Sequence, residues 1–272
     1  MKIVVLGSGT SHGIPVVGCD CPVCTSDDER DKRMRSSVYI EGRAGEKVLI
    51  DAGPEFRLQA VRAGIKALDA VFLTHSHADH IHGLDDLRSL SYHNSIPVYG
   101  NKVTISDMKN RFSYIWGKSQ IGGGKPRLTP KLIDKPLSID GLTFTPVPVK
   151  HGTLDILGWE VREDKDKSFL YLTDTSAIST AAMRQLCEVG LWQSRIIIIG
   201  GLRIRFHETH FNFEQALNTA LSLGANSIYL THICHNHSHV EIEKFCQHFK
   251  TTQSGSESVE IHPAQDGLVL EV

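Results

Sequence analysis

The sequence predicts an α+β fold of two mixed β-sheets packed face to face with helices outside. Short apolar, β-branched runs are interleaved with helical stripes in mixed order along the 272 residues. Several of these runs end directly in metal-ligating side chains: His75 to His80, His151, Asp174 and His232. Strand ends that carry such groups can gather at one edge of a sheet system. No internal repeat, low-complexity tract or linker divides the chain, so residues 1–272 read as one domain with room for a large core.

Composition narrows the function classes. Hydrophobic content of 40% and charged content of 22% suit a soluble globular protein. A net charge of -2 gives no electrostatic footprint for nucleic acid or an anionic membrane. Ile3-Val4-Val5-Leu6 is too short for a signal-peptide core, and no stretch approaches a transmembrane span. The six cysteines are clustered and uneven, unlike a secreted disulfide framework. The cytoplasm is the expected location.

In chain order, Lys2 to Leu6 reads as a buried strand that meets Gly7-Ser8-Gly9-Thr10-Ser11-His12-Gly13. Glycines there let the backbone approach a ligand closely, and the hydroxyls and amides suit a phosphate; a plain tight turn fits equally. Thr10, Ser11 and His12 are therefore candidate substrate-binding residues, as is His207 farther on. Cys19, Cys21 and Cys24 put three thiols in six residues, a spacing that favours thiolate-bound zinc in a reducing compartment. Such a site needs a fourth ligand from elsewhere.

Ser36 to Glu41 and Glu46 to Ile50 read as a hairpin, and the second run delivers Asp51. A carboxylate there suits either a turn cap or the support of a ligating imidazole. Pro54 to Ala63 reads as a helix stopped by Gly64. Ala70 to Thr74 is a strand that runs into His75-Ser76-His77-Ala78-Asp79-His80, four ligating side chains in six residues. Imidazole with carboxylate suits Zn, Mn, Fe or Co. Leu84, Leu87 and Leu90 then predict a helix. Ile96 to Tyr99 is a short strand. Residues 101–130, with Trp116, Lys118 and Gly122-Gly123-Gly124-Lys125-Pro126, read either as a flap over the site or as a surface insertion.

Leu142 to Val149 alternates as a strand and delivers His151. Ile156 to Val161 pairs with Ser168 to Thr173 across the charged turn Glu163 to Lys167, and the second strand delivers Asp174. Ile178, Ala182, Leu186 and Val189 form a helical stripe ended by Gly190. Arg195 to Ile199 is a strongly β-branched strand, followed by His207 and His210. Asn212 with Gln215, and Ser238 with Glu241, make capping-box patterns ahead of two helices. Between those helices Ser227 to Thr231 is a strand that delivers His232 and, just beyond, His235. Strands near Val259 and Leu268 end the reading. Cys187 and Cys246 fall on apolar helical faces and read as core.

These motifs resemble the metallo-β-lactamase superfamily, whose signature is His-x-His-x-Asp-His followed by single His, Asp and His ligands. The resemblance covers nearly the whole chain and implies an αβ/βα sandwich. It implies that His75, His77 and His151 hold one divalent metal, that Asp79, His80 and His232 hold a second, and that Asp174 bridges. It also matches Asp51 to the Asp that supports a ligating imidazole. Gly7 to Ser11 with Gly18 to Cys24 is similar, more narrowly, to the PhnP family of phosphoribosyl 1,2-cyclic phosphate phosphodiesterases. That likeness implies a structural zinc on Cys19, Cys21, Cys24 and His235, and His210 as general acid, with Asp79 beside it in the catalytic set. One departure is Gly200-Gly201, where relatives often carry an acidic residue.

The implied chemistry is hydrolysis of a small, cyclic phosphodiester by hydroxide activated at two metals, Zn, Mn or Fe. Rival readings are a tRNA 3′-end-processing nuclease and a PqqB-like binding protein without catalysis. No long basic excursion lies between Asp174 and His232, and every ligand of the signature is present, which disfavours both. The expected partner is a small molecule, with neither nucleic acid nor membrane. The oligomeric state is open, a homodimer among the options.

Overall fold

Strand alternation builds the layers. The computed structural model describes all residues of the chain except 118–123, 165–166 and 188–193. The first half runs β1 (Lys2–Gly7), β2 (Ser37–Glu41), β3 (Lys47–Ile50), α1 (Phe56–Ala63), β4 (Ala70–Phe72), α2 (Ala78–Ile81), β5 (Ile96–Gly100), α3 (Lys102–Arg111), α4 (Ser113–Trp116) and β6 (Leu128–Leu132). The second half runs β7 (Leu137–Ile139), β8 (Leu142–His151), β9 (Leu154–Arg162), β10 (Lys167–Leu172), β11 (Ala177–Ile178), α5 (Thr180–Cys187), β12 (Ser194–Gly200), α6 (Phe213–Ser222), β13 (Ser227–Thr231), α7 (His239–Thr252), β14 (Glu260–Pro263) and β15 (Val269–Glu271).

Both sheets are mixed, as predicted. One has the order β15-β1-β2-β3-β4-β5-β6, the other β11-β8-β9-β10-β12-β13-β14, with β7 beside β8. Within β12, Ile196 and Ile198 face the core between the sheets, while Ile197 and Ile199 face α5, α6 and α7. In β4, Phe72 faces the inter-sheet core and Val71 faces α1 and α3. Strands buried on both faces explain the continuous apolar runs. The Phe72 ring stacks on Phe144 of the opposite sheet at 4.1 Å between centroids, with Trp159 edge-on at 4.9 Å. Burial of each such ring stabilises the fold by roughly 1.5–3 kcal/mol. The result is four layers, with helices outside each sheet.

Three expectations need correction. The helix after the hexapeptide is split into α2 and a 3-10 helix over Leu84–Arg88. It breaks at Gly83 because that turn packs on Gly53, whose carbonyl a Cβ would overlap. Leu84 and Leu87 are nonetheless fully buried. Residues 101–130 are neither flap nor plain insertion over most of their length. α3 lays Ile105 and Met108 on the first sheet, and β6 forms its edge. Cys246 is buried, but Cys187 is exposed. Lys118, Gly122-Gly123, Lys165-Asp166, Val189 and Gly190 lie outside the described residues.

Candidate active site and metal centre

The ligand-bearing strand ends meet where the two sheets come together. A threonine precedes three of these side chains, in Thr74-His75, Thr173-Asp174 and Thr231-His232. Each threonine is fully buried. The backbone turns sharply at these points. Asp51, Asp174 and His232 have φ of 61°, 54° and 56°, three of the four positive values on non-glycine residues among those described. Such backbone costs of order 1–3 kcal/mol per residue and persists where surrounding contacts impose it. Here it aims the side chains inward.

Two groups of ligating atoms result. His75, His77 and His151 form one, and Asp79, His80, Asp174 and His232 the other, with the atoms of each group within 4.8 Å of one another. One Asp174 oxygen, Oδ2, lies 3.2 Å from His80 Nε2 and 3.2 Å from His232 Nδ1. Asp79 Oδ2 lies 3.1 Å from His80 Nε2.

Partners behind the rings set their orientation. His80 Nδ1 donates to Asp51 Oδ2 at 2.7 Å, and the Thr74 amide and hydroxyl both donate to Asp51 at 2.8 Å. His151 Nδ1 donates to the Thr209 carbonyl at 2.8 Å. Both rings thereby turn Nε2 toward the cluster, the usual arrangement behind a metal-bound imidazole. Thr10 Oγ1 lies 3.2 Å from His232 Nε2, and Ser36 Oγ 3.3 Å from its Nδ1. Thr10 is thus buried against a ligand ring, while Ser11 and His12 are exposed on the adjoining turn.

Charge and burial both fit divalent cations. His75 Nε2 is buried without a hydrogen-bond partner, which is costly unless a cation accepts its lone pair, and His80 Nε2 faces the Asp79 and Asp174 carboxylates, a setting that favours positive charge. Burial works to lower the His80 pKa, but Asp79, Asp174 and Asp51 outweigh it and hold it well above the usual range. Burial works to raise Asp174, yet His232 and His80 keep it well below the usual carboxylate range. A proton on His80 therefore occupies a position that favours positive charge, and a bound cation would displace it.

His210 sits beside both groups. Its ring lies 4.6 Å from that of His151 and 4.9 Å from that of His232, and its Nδ1 is 3.9 Å from Asp174 Oδ1. Burial first, then His232, push it down to about 3, against an upward pull from Asp174. His207 is farther out, 5.2 Å from His210 between ring centroids. Gly200 packs on the Asp174 amide, where an added Cβ would come to 3.0 Å. That leaves little room for an acidic side chain at this point.

A separate cluster lies on the N-terminal loop. Cys19, Cys21 and Cys24 Sγ approach His235 Nδ1 at 3.3, 3.5 and 3.4 Å. The Cys24 amide draws the Cys21 thiol down to about 6. Gly9 bridges Ile233, and the Thr10 amide donates to the Ile233 carbonyl at 3.1 Å, so this loop is stitched to the segment after His232. The sequence reading missed the network beneath it. Buried Arg33 binds Asp31 and the Cys234 and His237 carbonyls, and Asp31 accepts the His239 amide. No spacing rule marks it; only burial does.

Comparison with known proteins places the chain in a family. Residues 46–233 match the family model described as β-lactamase superfamily domain. The chain belongs to the β-lactamase superfamily. Over its full length it superposes on the crystal structure of a new diphosphatase from the PhnP family. The TM-score is 0.83 at 37% identity, covering 97% of that chain. Within the superfamily the chain is PhnP-like. It is also 39% identical over 248 residues to an octanoyltransferase of Porphyromonas gingivalis, covering 89% of this chain. The chain spans 48% of that relative's length. Zinc-bound PqqB from Methylobacterium extorquens shares the fold, with a TM-score of 0.75 at 17% identity and full coverage of both chains. No helix among the described residues is long and apolar enough to cross a membrane.

Proposed function

We propose that this chain hydrolyses a small, cyclic phosphodiester at two divalent cations, Zn, Mn or Fe. His75, His77 and His151 would hold one, Asp79, His80 and His232 the other, and Asp174 both. The observation that carries the reading is the Asp174 carboxylate, which lies within ligating reach of Asp79, His80 and His232 and also of His151 from the other imidazole set, with His210 beside it. When bound, the cations supply Lewis acidity and lower the pKa of water at the site. The chain's own residues do the rest. Asp51 and the Thr209 carbonyl hold His80 and His151 in one tautomer. His210 is placed to give a proton to the departing alkoxide, which leaves poorly without one.

The PhnP-family neighbour is described as a diphosphatase, so diphosphate hydrolysis is the second reading. A turnover screen of metal-loaded protein against cyclic diesters, linear diesters and diphosphates decides between them. Turnover of diphosphates alone would remove the phosphodiester reading. A small-molecule substrate, without nucleic acid, fits the net charge of -2.

Two further predictions arise here. Asp51→Ala leaves the His80 Nδ1 proton without its acceptor, and metal affinity is expected to fall about 10–100-fold. Metal content after dialysis against graded chelator measures this. The cysteine cluster is proposed as a closed zinc site that supports folding. Cys21→Ser is expected to lose one zinc per chain and to lower Tm; unchanged zinc and Tm would give the thiols another role.

A further inference from the structure

Asp266 lies on the turn between β14 and β15, outside both groups of ligating residues. That turn is fixed on β1. The Gly267 amide donates to the Val5 carbonyl at 2.8 Å, and the Val5 amide donates to the Leu268 carbonyl at 2.9 Å. The Asp266 carboxylate accepts three hydrogen bonds. Oδ1 takes the Ser8 amide at 2.8 Å and the Ser8 hydroxyl at 2.9 Å, and Oδ2 takes the Met34 amide at 2.8 Å. Burial pushes the carboxyl up to about 6 against these donors, so it is ionised at neutral pH and both oxygens accept.

Ser8 and Met34 open the two segments that touch the His232 ring. The Ser8 carbonyl accepts the Ile233 amide at 3.0 Å, and the Thr10 amide donates to the Ile233 carbonyl at 3.1 Å. Residues 8–10 thus grip the backbone just after His232. They are also laced to residues 34–36. The Gly9 amide donates to the Met34 carbonyl at 2.8 Å, and the Gly9 carbonyl accepts the Ser36 amide at 3.1 Å and the Ser36 hydroxyl at 2.9 Å. The fit is close, since a Cβ on Gly9 would come to 2.6 Å from the Arg33 carbonyl oxygen. Thr10 Oγ1 and Ser36 Oγ then stand at the two ring nitrogens of His232. His232 itself has φ of 56°, backbone that persists only under such restraint.

We propose that Asp266 is a positioning residue for His232. It clamps Ser8 to Met34, and the two clamped segments hold the ring through Thr10 on one side and Ser36 on the other. The assignment rests on the two-cation reading above, in which His232 is a ligand. The chemistry of the clamp requires a carboxylate. All three partners are donors, and the amide nitrogen of an Asn would confront one of them with a second donor. Stability alone does not call for a charge here. A carboxyl held above its ordinary range by burial opposes folding at neutral pH, so its retention points to a local task.

The test follows zinc release from the zinc-loaded protein into graded chelator, with Tm measured on the same samples. Asp266→Asn is expected to release one active-site zinc at about tenfold lower chelator concentration than wild type. The other active-site zinc and the cysteine-bound zinc stay as in wild type. Thr10→Val, nearly isosteric, is expected to release the same zinc early. The double variant should lose it little earlier than the worse single variant, because both act through one ring. Glu163→Gln breaks the ion pair with the N-terminal amine, beyond the far end of β9, and serves as the control: Tm falls while zinc release is unchanged. If Asp266→Asn does not fold, Ser8→Ala removes one of the three bonds and decides the matter by a several-fold shift of the same zinc. Unchanged release, additive losses in the double variant, or release of every zinc together with a lower Tm overturns the positioning role while the two-cation reading stands. Wild-type protein that holds no zinc beyond the cysteine cluster overturns both.

Discussion

Asp174→Ala is expected to abolish hydrolysis and strip divalent metal from the active site. Among the described residues Asp174 is the carboxylate that lies within ligating reach both of Asp79, His80 and His232 and of His151. One of its oxygens faces both His80 and His232 at 3.2 Å, and the other faces His210 at 3.9 Å. Thr173 donates to Oδ2 at 2.7 Å and fixes the rotamer. The carboxylate is 2% exposed, so water cannot replace it cheaply. Removal of one partner from a buried charge network costs about 3–5 kcal/mol, or roughly 10²–10³-fold or more in an equilibrium constant. Asp174→Asn keeps the shape and separates lost charge from lost packing. Metal analysis after gel filtration, alongside turnover, makes the measurement. Normal metal content with near-normal turnover would remove the dinuclear assignment.

Much of this was legible in the residues because local chemistry and tertiary structure agree there. The capping boxes at Asn212 with Gln215 and Ser238 with Glu241 both form, and the helices begin where the pattern places them. The ligands follow strands because strand ends can aim side chains into a shared space. What was illegible depends on contacts between distant segments. α3 opens with Val103-Thr104-Ile105, β-branched residues of modest helix propensity, and it stands on the burial of Ile105 and Met108. The stripe after the hexapeptide breaks at Gly83 because Gly53, thirty positions earlier, packs against it. Cys187 lies one residue past buried Leu186, about 100° around the helix from it, and so faces outward. The contact of the Thr10 hydroxyl with His232, 222 positions away, is likewise set by tertiary packing and not by the Gly-rich loop that carries it. The threonines before His75, Asp174 and His232 form a repeated pair that is readable in the sequence itself.

His210→Ala is expected to keep its metals and its fold while losing about 10²–10⁴-fold in turnover of diesters with alkoxide leaving groups. The backbone here is pinned. The Phe211 amide donates to the Thr175 carbonyl at 2.7 Å, the Leu202 amide donates to the Phe211 carbonyl at 3.0 Å, and Asn212 caps α6. The ring therefore stays beside Asp174 and His151 without help from substrate. Burial and the neighbouring imidazoles hold it down to about 3, so it is neutral at pH 7 in the free site. An anionic phosphoryl group placed against it favours the imidazolium, so the proton is taken up as substrate binds. Aryl leaving groups need little protonation, and their turnover should fall far less. His207, farther out and only partly buried, should matter less on either substrate. His210 also lies within ligating reach of His151 and Asp174. If it served as a metal ligand, its removal would take metal away and slow both substrates alike. Rates for matched alkyl and aryl diesters, with metal counts on the same samples, separate the two roles. Equal losses on both substrates, or no loss on either, would show that His210 is not the acid.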